Sequence, residues 1–419
     1  MPRQENRRHQ NAGTIWINAR FLDRPTTGVE RVAREVLNEL KREHLDEHDV
    51  LRTTRGPMRV RLIAPHSDSP STDTCGFPVL REGRLRGHLW EQLELPWLTQ
   101  GDWLLSLCNT GPVCKRRQWI FLHDAQPFAI PENFSPAIRY TYPWLYRLCA
   151  WQSRRVLVNS EFTRAELIRY TGACPSKFSV CHLGSDHAQP AQHQTQTQNK
   201  DKDKDKDKDK DPLLPAEPYV LAFASDNPNK NAACISRALE LMGADAPLCL
   251  VVGGTAASTF KKASKQTNSA TARMRQIGRV SDAELSPLLQ GAMALLYPSR
   301  YEGFGLPPLE AMRNNCPVIV ARTGALPETA GPAALYCDPN RPATLAAAIQ
   351  RVAESKSLRK VMRSYGQSRA RLFTWSRCTQ AIVTTIQNDL QIKQTSPQLP
   401  CPTLKGTALN VPAINEASS

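Results

Sequence analysis

The stretch "ALLYPSRYEGFGLPPLEAM", residues 294–312, is predicted to form a buried strand, a loop and the first turns of a helix. Its apolar start is typical of a strand covered on both faces. Pro307 and Pro308 fall in the first helical turn, where a missing N–H costs little. The free N–H groups of such a helix start, together with the flexible backbone of Gly303 and Gly305, are suited to phosphate. The stretch therefore indicates an α/β fold with a phosphate site after a parallel strand.

Two carboxylates flank this loop. Glu302 precedes it and Glu310 lies about one turn inside the predicted helix. A carboxylate next to phosphate would repel it, so both are better placed to accept hydrogen bonds from sugar hydroxyls. One could bind a transferred sugar and the other a ribose. The alternative is that both acids only complement the dipole of the helix N-terminus.

Short apolar runs alternate with helical stretches along most of the chain. Strands are predicted at 14–20, 60–65, 103–107, 118–124 and 155–160, and again at 218–225, 247–254, 294–299, 316–322 and 334–339. Helices are predicted over 27–40, 231–242 and 343–355. Most of the strands are continuously apolar, which favours parallel sheets with helices on both faces. We therefore expect doubly wound halves with a ligand cleft between them.

The length of 419 residues predicts two domains, because one core rarely grows that large. The predicted segments are an N-terminal Rossmann-like domain (14–188), a disordered low-complexity linker (189–216), a C-terminal Rossmann-like domain (217–370), a helix that packs back toward the N-terminal domain (371–391) and a disordered tail (392–419). The linker prediction depends on the Lys-Asp alternation from 200 to 211, which has no apolar face.

Composition is that of a soluble globular protein, with 41% apolar and 22% charged residues. We find neither an export signal nor the roughly 20 consecutive apolar residues that a membrane span requires, and therefore expect a cytoplasmic protein. The twelve cysteines are scattered without a C-x-x-C pair. They are predicted to be reduced thiols, and no metal site is expected.

The net charge of +15 favours contact with polyanions. The basic stretches contain too few aromatic residues for nucleic-acid stacking, so no nucleic-acid partner is expected. Anionic lipid headgroups and phosphorylated substrates remain as candidates, beside the simpler interpretation of a solvated basic face.

The two glutamates, with seven residues between them, and the following "CPVIVARTGALPE" (316–328) resemble the E-x7-E region of the retaining glycosyltransferases of family 4. Further segments resemble that family in the same order, at 27–37, 123–135, 158–167, 182–186, 227–231, 278–285 and 373–382. The resemblance extends over about residues 14–385. It implies the GT-B fold, in which two Rossmann-like doubly wound domains face each other across a cleft, the N-terminal one on the acceptor side and the C-terminal one binding the nucleotide sugar.

The resemblance also implies roles for individual residues. Lys230 would be the cation on the donor diphosphate, Glu310 the ribose partner and Glu302 the residue near the hydroxyls of the transferred sugar. His123 would reach the donor sugar, and Gly28 would allow close approach of the first loop to the diphosphate. Glu302, His123 and Lys230 are the catalytic candidates, and the backbone amides expected to hold the donor are those of Gly303, Phe304, Gly305 and Leu306. His123 could instead be a structural strand-end histidine, and Lys230 a solvated lysine.

One departure from the family concerns a second cation on the leaving diphosphate. Many members have an arginine five residues before the lysine or immediately before it, where this chain has Ser225 and Asn229. A second positive charge would stabilise the charge that develops in the transition state. Arg31, Arg279 or Arg300 could replace it from another loop.

The reaction implied by the resemblance is transfer of a hexose, first of all mannose, from a nucleoside diphosphate sugar to an acceptor hydroxyl with retention. GDP-mannose is the first expected donor and a UDP-hexose the second, without cofactor or metal. The expected acceptor is a saccharide or a lipid-linked oligosaccharide of cell-envelope polysaccharide biosynthesis, with peripheral contact at the anionic inner face of the cytoplasmic membrane. The alternatives are a non-catalytic protein that binds sugar nucleotides and an epimerase or phosphorylase on the same fold.

Overall fold

The structure is a computed structural model, and it describes residues 13–188, 214–223, 227–253 and 273–391. Most of the predicted linker (189–216) and the whole predicted tail (392–419) lie outside the described residues, as does Ser225.

The first half of the chain forms an eight-stranded sheet. Its strands are β1 (Gly13–Asn18), β2 (Val50–Thr53), β3 (Gly56–Ala64), β4 (Val79–Arg81), β5 (Trp103–Ser106), β6 (Gln118–Leu122), β7 (Arg155–Val158) and β8 (Phe178–Val180). Their order is β2-β3-β1-β5-β6-β7-β8, with β4 paired to β3. Only the β2–β3 hairpin is antiparallel among the described strands of this sheet.

The second half forms a six-stranded parallel sheet. Its strands are β9 (Tyr219–Phe223), β10 (Leu248–Val252), β11 (Met274–Gly278), β12 (Leu295–Tyr297), β13 (Val318–Ala321) and β14 (Ala334–Cys337). The order β11-β10-β9-β12-β13-β14 is the 3-2-1-4-5-6 arrangement of dinucleotide-binding folds. The predicted pair of doubly wound α/β halves is thereby confirmed.

Helices cover both sheets. They are α1 (Gly28–Glu39), α2 (Gly87–Leu89), α3 (Leu95–Leu98), α4 (Gln126–Ala129), α5 (Pro136–Gln152), α6 (Glu161–Thr171), α7 (Ala232–Met242), α8 (Asp282–Gly291), α9 (Leu306–Arg313), α10 (Leu326–Ala330), α11 (Pro342–Glu354), α12 (Lys356–Ala370) and α13 (Trp375–Gln391). A π-helical turn, Trp90–Glu94, joins α2 to α3. None of the helices in these described ranges is long and apolar enough to cross a membrane.

Several predicted strands extended too far at their carboxyl ends. The strand predicted over 118–124 ends at Leu122, and that predicted over 155–160 ends at Val158. The polar residues that follow leave the ladder and form the loops at the sheet edge. The short strands β2, β4, β8 and β11 were not predicted, because three to five residues carry too little periodicity.

The last helix returns to the first sheet. The buried Asp389 carboxylate of α13 accepts a hydrogen bond from the Trp119 indole of β6 at 3.0 Å, and it also binds the Arg155 guanidinium. At the other end of α13, Trp375 is buried in the core cluster that contains residues of both halves. This helix therefore connects the two sheets outside the covalent linker.

Candidate active site

The candidate site lies at the point where the strand order of the second sheet reverses. β9 and β12 are adjacent there, and the connections that leave their carboxyl ends run toward opposite sides of the sheet. Ligands of open α/β sheets bind at such switch points. Lys230 follows β9 and Glu302 follows β12, so this topology brings together two residues that are 72 positions apart.

Lys230, Tyr297 and Glu302 form a closed triangle of polar contacts. The Lys230 ammonium lies 2.9 Å from Glu302 Oε1 and 2.5 Å from the Tyr297 hydroxyl. The Tyr297 hydroxyl in turn donates to Glu302 Oε1 at 3.0 Å. Lys230 also lies over the Tyr297 ring, 4.7 Å from its centroid. Because an ammonium has three donors, one remains for a further acceptor.

The charges in this triangle are mutually stabilised. Burial alone would lower the pKa of Lys230, but the charge and hydrogen bonds of Glu302 and Tyr297 together outweigh burial and raise that pKa. Burial and the same carboxylate raise the pKa of Tyr297, so its hydroxyl keeps its proton. At neutral pH the site therefore presents a fixed ammonium beside a neutral phenol.

Two asparagines hold the loops that carry these groups. Asn229 Nδ2 donates to the Tyr301 carbonyl at 2.6 Å, immediately before Glu302. Asn231 adopts φ +58° and donates to the carbonyls of Pro298 and Pro339. Each asparagine therefore ties the loop after β9 to a loop after a neighbouring strand. This role was not predicted from the sequence. Asparagine adopts the left-handed backbone region more readily than most residues, and this preference is the sequence signal that points to Asn231.

The loop predicted to hold phosphate is packed so tightly that two of its positions require glycine. Gly305 has φ +101°, and an added Cβ would lie 2.6 Å from Leu326 Cδ2. An added Cβ on Gly303 would lie 2.3 Å from the His123 carbonyl oxygen and 2.8 Å from Asp124 Cβ. Gly305 is the N-cap residue of α9 and has no side chain that could bond the first helix amides. Whether the amides of residues 303–306 hold the donor stays a prediction.

The same loop joins the two halves of the protein. The hydroxyls of Ser160 and Thr163, at the start of α6, donate to the Gly303 carbonyl at 2.6 and 3.0 Å. Glu328 of α10 accepts from the first two amides of α6, those of Glu161 and Phe162. A helix N-terminus in one half is thus capped by a carboxylate from the other.

His123 and Asp124 follow β6 on the opposite side of the cleft. His123 Nε2 donates to the Leu107 carbonyl at 2.8 Å, and burial lowers the pKa of this histidine to about 4. Its ring is therefore neutral at physiological pH and already holds a structural hydrogen bond. Asp124 is partly buried against Gly303, and burial, with a smaller contribution from Glu302, raises the pKa of its carboxyl to about 6. Contact of His123 with a donor sugar stays a prediction.

Glu310 lies one helix turn beyond the loop. Its Oε1 is 3.0 Å from His187 Nε2, and His187 Nδ1 accepts from the Trp375 indole at 3.0 Å. The indole donation leaves the histidine proton on Nε2, directed to Glu310. The predicted ribose partner is therefore positioned by a histidine that the sequence analysis did not select.

The remaining predicted positions are Gly28 and the three possible second cations. Gly28 begins α1, and a Cβ there would meet no protein atom within 4 Å, so packing does not require this glycine. Arg31 makes a bidentate bridge to Asp282 of α8 at 2.6 and 2.9 Å. Arg300 donates to Asn340, whereas Arg279 is exposed just after β11. Within the part of the chain that the structure describes, none of these three arginines makes a hydrogen bond to Lys230, Tyr297 or Glu302.

No group of three or more His, Cys, Asp and Glu side chains in the described ranges could hold a metal ion.

Comparison with known proteins agrees with this geometry. Residues 203–369 match the family described as Glycosyl transferases group 1. The chain is 40% identical over 106 residues to O-antigen chain mannosyltransferase B of Escherichia coli, covering 25% of this chain and 28% of that protein. It is 26% identical over 271 residues to O-antigen chain mannosyltransferase RfbU of Salmonella typhimurium, covering 62% of this chain and 70% of that one. The first of these relatives is thus aligned over little more than a quarter of its length.

Solved structures have the same fold. Sucrose-phosphate synthase from Thermosynechococcus elongatus superimposes with a TM-score of 0.67 at 17% identity, covering 90% of this chain and 98% of the other. Anabaena Alr3699/HepE in complex with UDP-glucose superimposes with a TM-score of 0.60 at 14% identity, covering 90% and 99%.

The two Rossmann-like sheets, with a site at the switch point of the second, form the GT-B fold. Within this fold, residues 203–369 match the Glycosyl transferases group 1 family, and the two relatives reported above are named as mannosyltransferases.

Proposed function

We propose that this protein transfers a mannosyl group from GDP-mannose to a hydroxyl of a saccharide or lipid-linked oligosaccharide in the assembly of a cell-envelope polysaccharide, with retention at the anomeric carbon. The observation that carries the proposal is the Lys230–Tyr297–Glu302 triangle at the switch point, with Glu310 one helix turn further along. The mannosyltransferase relatives support mannose, whereas the UDP-glucose complex of a structural neighbour keeps a UDP-hexose as the second candidate donor.

Each group has a role in the proposed reaction. The third donor of Lys230 binds a diphosphate oxygen and offsets the charge that develops as the anomeric carbon–oxygen bond breaks. Glu302 accepts hydrogen bonds from hydroxyls of the transferred sugar, and Glu310 accepts them from the ribose. The acceptor oxygen forms the new bond on the face from which the diphosphate departs, and its proton passes to the leaving phosphate. The chain supplies these charges itself, so the proposal includes no metal and no cofactor.

The proposed acceptor places the protein in peripheral contact with the anionic inner face of the cytoplasmic membrane. The net charge of +15 supports this, because each Lys or Arg near such a surface contributes about 1 kcal/mol.

Thermal-shift titration with GDP, UDP and ADP, with and without a chelator, tests the donor site. We expect a saturable rise in Tm with GDP that the chelator does not change. A response to UDP alone would reassign the donor, and no response to any of them at millimolar concentration would contradict the proposal.

Slow hydrolysis of GDP-mannose tests the chemistry without a known acceptor. Proton NMR should detect α-mannose before it mutarotates, as retention requires. Release of β-mannose would contradict retention, a changed sugar still attached to the nucleotide would indicate an epimerase, and binding without any turnover would indicate a binding protein.

A further inference from the structure

An ion pair joins the two halves of the protein across the cleft. The guanidinium of Arg31, in α1 of the first half, donates to both carboxylate oxygens of Asp282, in α8 of the second half, at 2.6 and 2.9 Å. A bidentate pair of this kind fixes the orientation of the two groups as well as their distance. The side chains are 28% and 64% exposed, so water can solvate both groups when the pair opens.

Neither helix needs this ion pair to form its first turn. Thr27 and Glu30 make a capping box at the start of α1, and Ser281 and Glu284 make one at the start of α8. A capping box satisfies free amides at a helix start with side chains of the same helix. The ion pair is therefore available to act between the halves, and either partner can be replaced without removing a cap.

The ion pair lies beside the carboxylate expected to bind the ribose. Helices α8 and α9 are adjacent, because Ser286 of α8 donates to the side chain of Asn314, just after α9, at 2.7 Å. Asp282 and Glu310 each lie four residues before one of these contacts, so they stand at about the same level of neighbouring helices. The hydrogen bond to Asp282 raises the pKa of Arg31, and the charge of Glu310 adds to that rise.

The cleft is closed over the carboxylates of the candidate site. The side chains of Glu302 and Glu310 are only 12% and 15% exposed. The loop after Glu302 contacts His123 of the first half, and Glu310 contacts His187. A nucleotide sugar can therefore reach these carboxylates only after the two halves move apart, and it is enclosed when they return.

The ion pair also occupies the guanidinium of Arg31. Both of its terminal nitrogens, Nη1 and Nη2, donate to Asp282. A second cation on the diphosphate would have to release this carboxylate before it could contact phosphate oxygens. The geometry therefore favours a role of Arg31 between the two helices over the charge-neutralising role that its position in the sequence allowed.

We propose that the Arg31–Asp282 ion pair holds the two halves closed over the nucleoside end of the bound donor and opens when GDP leaves. Arg31 is then a positioning residue that acts through Asp282. An exposed ion pair of good geometry contributes modestly to stability, so this one shifts the balance between open and closed forms without deciding the fold. The inference deepens the proposed function and rests on it, because the nucleotide donor is what the closed cleft retains.

Calorimetric titration of the full chain with GDP tests the ion pair. Arg31→Ala and Asp282→Ala should each weaken binding about threefold at low salt, the scale of an exposed ion pair, and the two losses should not add in the double variant. High salt should remove the difference from the wild type, because it screens exposed charges. The charge exchange Arg31→Asp/Asp282→Arg should recover most of the wild-type affinity.

The matched control is Arg273→Ala, which breaks an exposed ion pair with Glu217 inside the second half and should bind GDP like the wild type. Asp282→Ala separates the proposal from a role of Arg31 on the diphosphate. A diphosphate cation freed from the carboxylate would bind GDP more tightly, so tighter binding by Asp282→Ala would overturn the proposal. A charge exchange that binds GDP no better than Arg31→Ala would overturn it as well.

Small-angle X-ray scattering of the nucleotide-free protein tests closure without any ligand. Arg31→Ala should have a larger radius of gyration than the wild type and the Arg273→Ala control, since the halves are separated in more of its molecules. Equal radii for all three proteins would overturn the proposal. Wild-type protein that binds no GDP would contradict the proposed function, whereas the radii would still show whether the ion pair holds the halves together.

Discussion

His187 Nε2 lies 3.0 Å from Glu310 Oε1, so a residue of the turn at the end of the first half holds the carboxylate predicted to bind the ribose. The Trp375 indole, which starts the returning helix α13, donates to the other nitrogen of the same ring. The orientation of Glu310 is therefore coupled to the contact between the two halves, through two hydrogen bonds with defined donors.

His187→Ala should weaken binding of GDP by about 1 kcal/mol, because Glu310 loses the donor that orients it. The loss should be smaller for 2′,3′-dideoxy-GDP, which has no ribose hydroxyls for Glu310 to accept from. Calorimetric titration of both nucleotides measures the difference, with exposed His66→Ala as the control. Equal losses for the two nucleotides would indicate that His187 only supports the fold.

Glu310→Ala should weaken GDP binding by about 1 to 3 kcal/mol, because the ribose hydroxyls are left unpaired. Its effect should not add to that of His187→Ala, since both act through one carboxylate. Titration of the two single variants and the double variant gives the coupling. An unchanged affinity in a folded Glu310→Ala protein would remove the ribose assignment.

Lys230→Ala should lower kcat for GDP-mannose hydrolysis more than it weakens nucleoside binding, because a cation on the leaving group matters most as charge develops. Steady-state kinetics compared with GMP affinity provides the measurement. Tyr297→Phe is the matched milder variant, since it keeps the ring under the ammonium and removes only the bridging hydroxyl. If Lys230→Ala reduced kcat and GMP binding equally, the lysine would be structural.

Gly303→Ala should destabilise the protein by about 1 to 3 kcal/mol, because the new methyl group would overlap the His123 carbonyl and Asp124 across the cleft. Gly28→Ala is the paired control for folding, since its methyl group meets no protein atom within 4 Å. Gly28→Ala should leave Tm unchanged. It should weaken donor binding, because the added methyl group would lie between the first loop and the diphosphate that we expect this loop to approach. Urea denaturation of both variants tests the first expectation, and an unaltered donor affinity for Gly28→Ala would refute the second.

The raised pKa of the Asp124 carboxyl predicts that the stability of the folded protein depends on pH. Burial raises this pKa from 3.8 to about 6 in the folded protein. The folded state then binds more protons than the unfolded state between these values, so this group makes the protein less stable as the pH rises from about 4 to about 6. Asp124→Asn should remove that loss, on the order of 3 kcal/mol, and become the more stable protein above pH 6. Urea denaturation across this pH range measures the stability of both proteins, and parallel curves of stability against pH would count against the raised pKa of Asp124.

Much of the architecture follows from local pattern. The continuously apolar runs predicted parallel strands, and Pro307 and Pro308 marked the start of α9 correctly. Both features depend on interactions among near neighbours in the chain, which the sequence displays directly. Strand ends and the short strands at the sheet margins were predicted poorly, because they are decided by pairing with distant segments.

The features of the candidate site likewise divide into those that a local pattern predicts and those that depend on distant contacts. The spacing of Glu302 and Glu310 across a glycine loop is a local property, and it indicated two carboxylates beside a helix start. The sequence did not reveal the Tyr297 bridge, the His187 donor to Glu310 or the Glu328 cap on α6. Each of these contacts depends on which loops the two sheets bring to the same edge, and none has a fixed sequence separation. The amino-acid sequence by itself therefore determined the two doubly wound halves and their principal charged groups, whereas only the tertiary structure decided which partners orient those groups, because long-range contacts are set by strand order and domain docking.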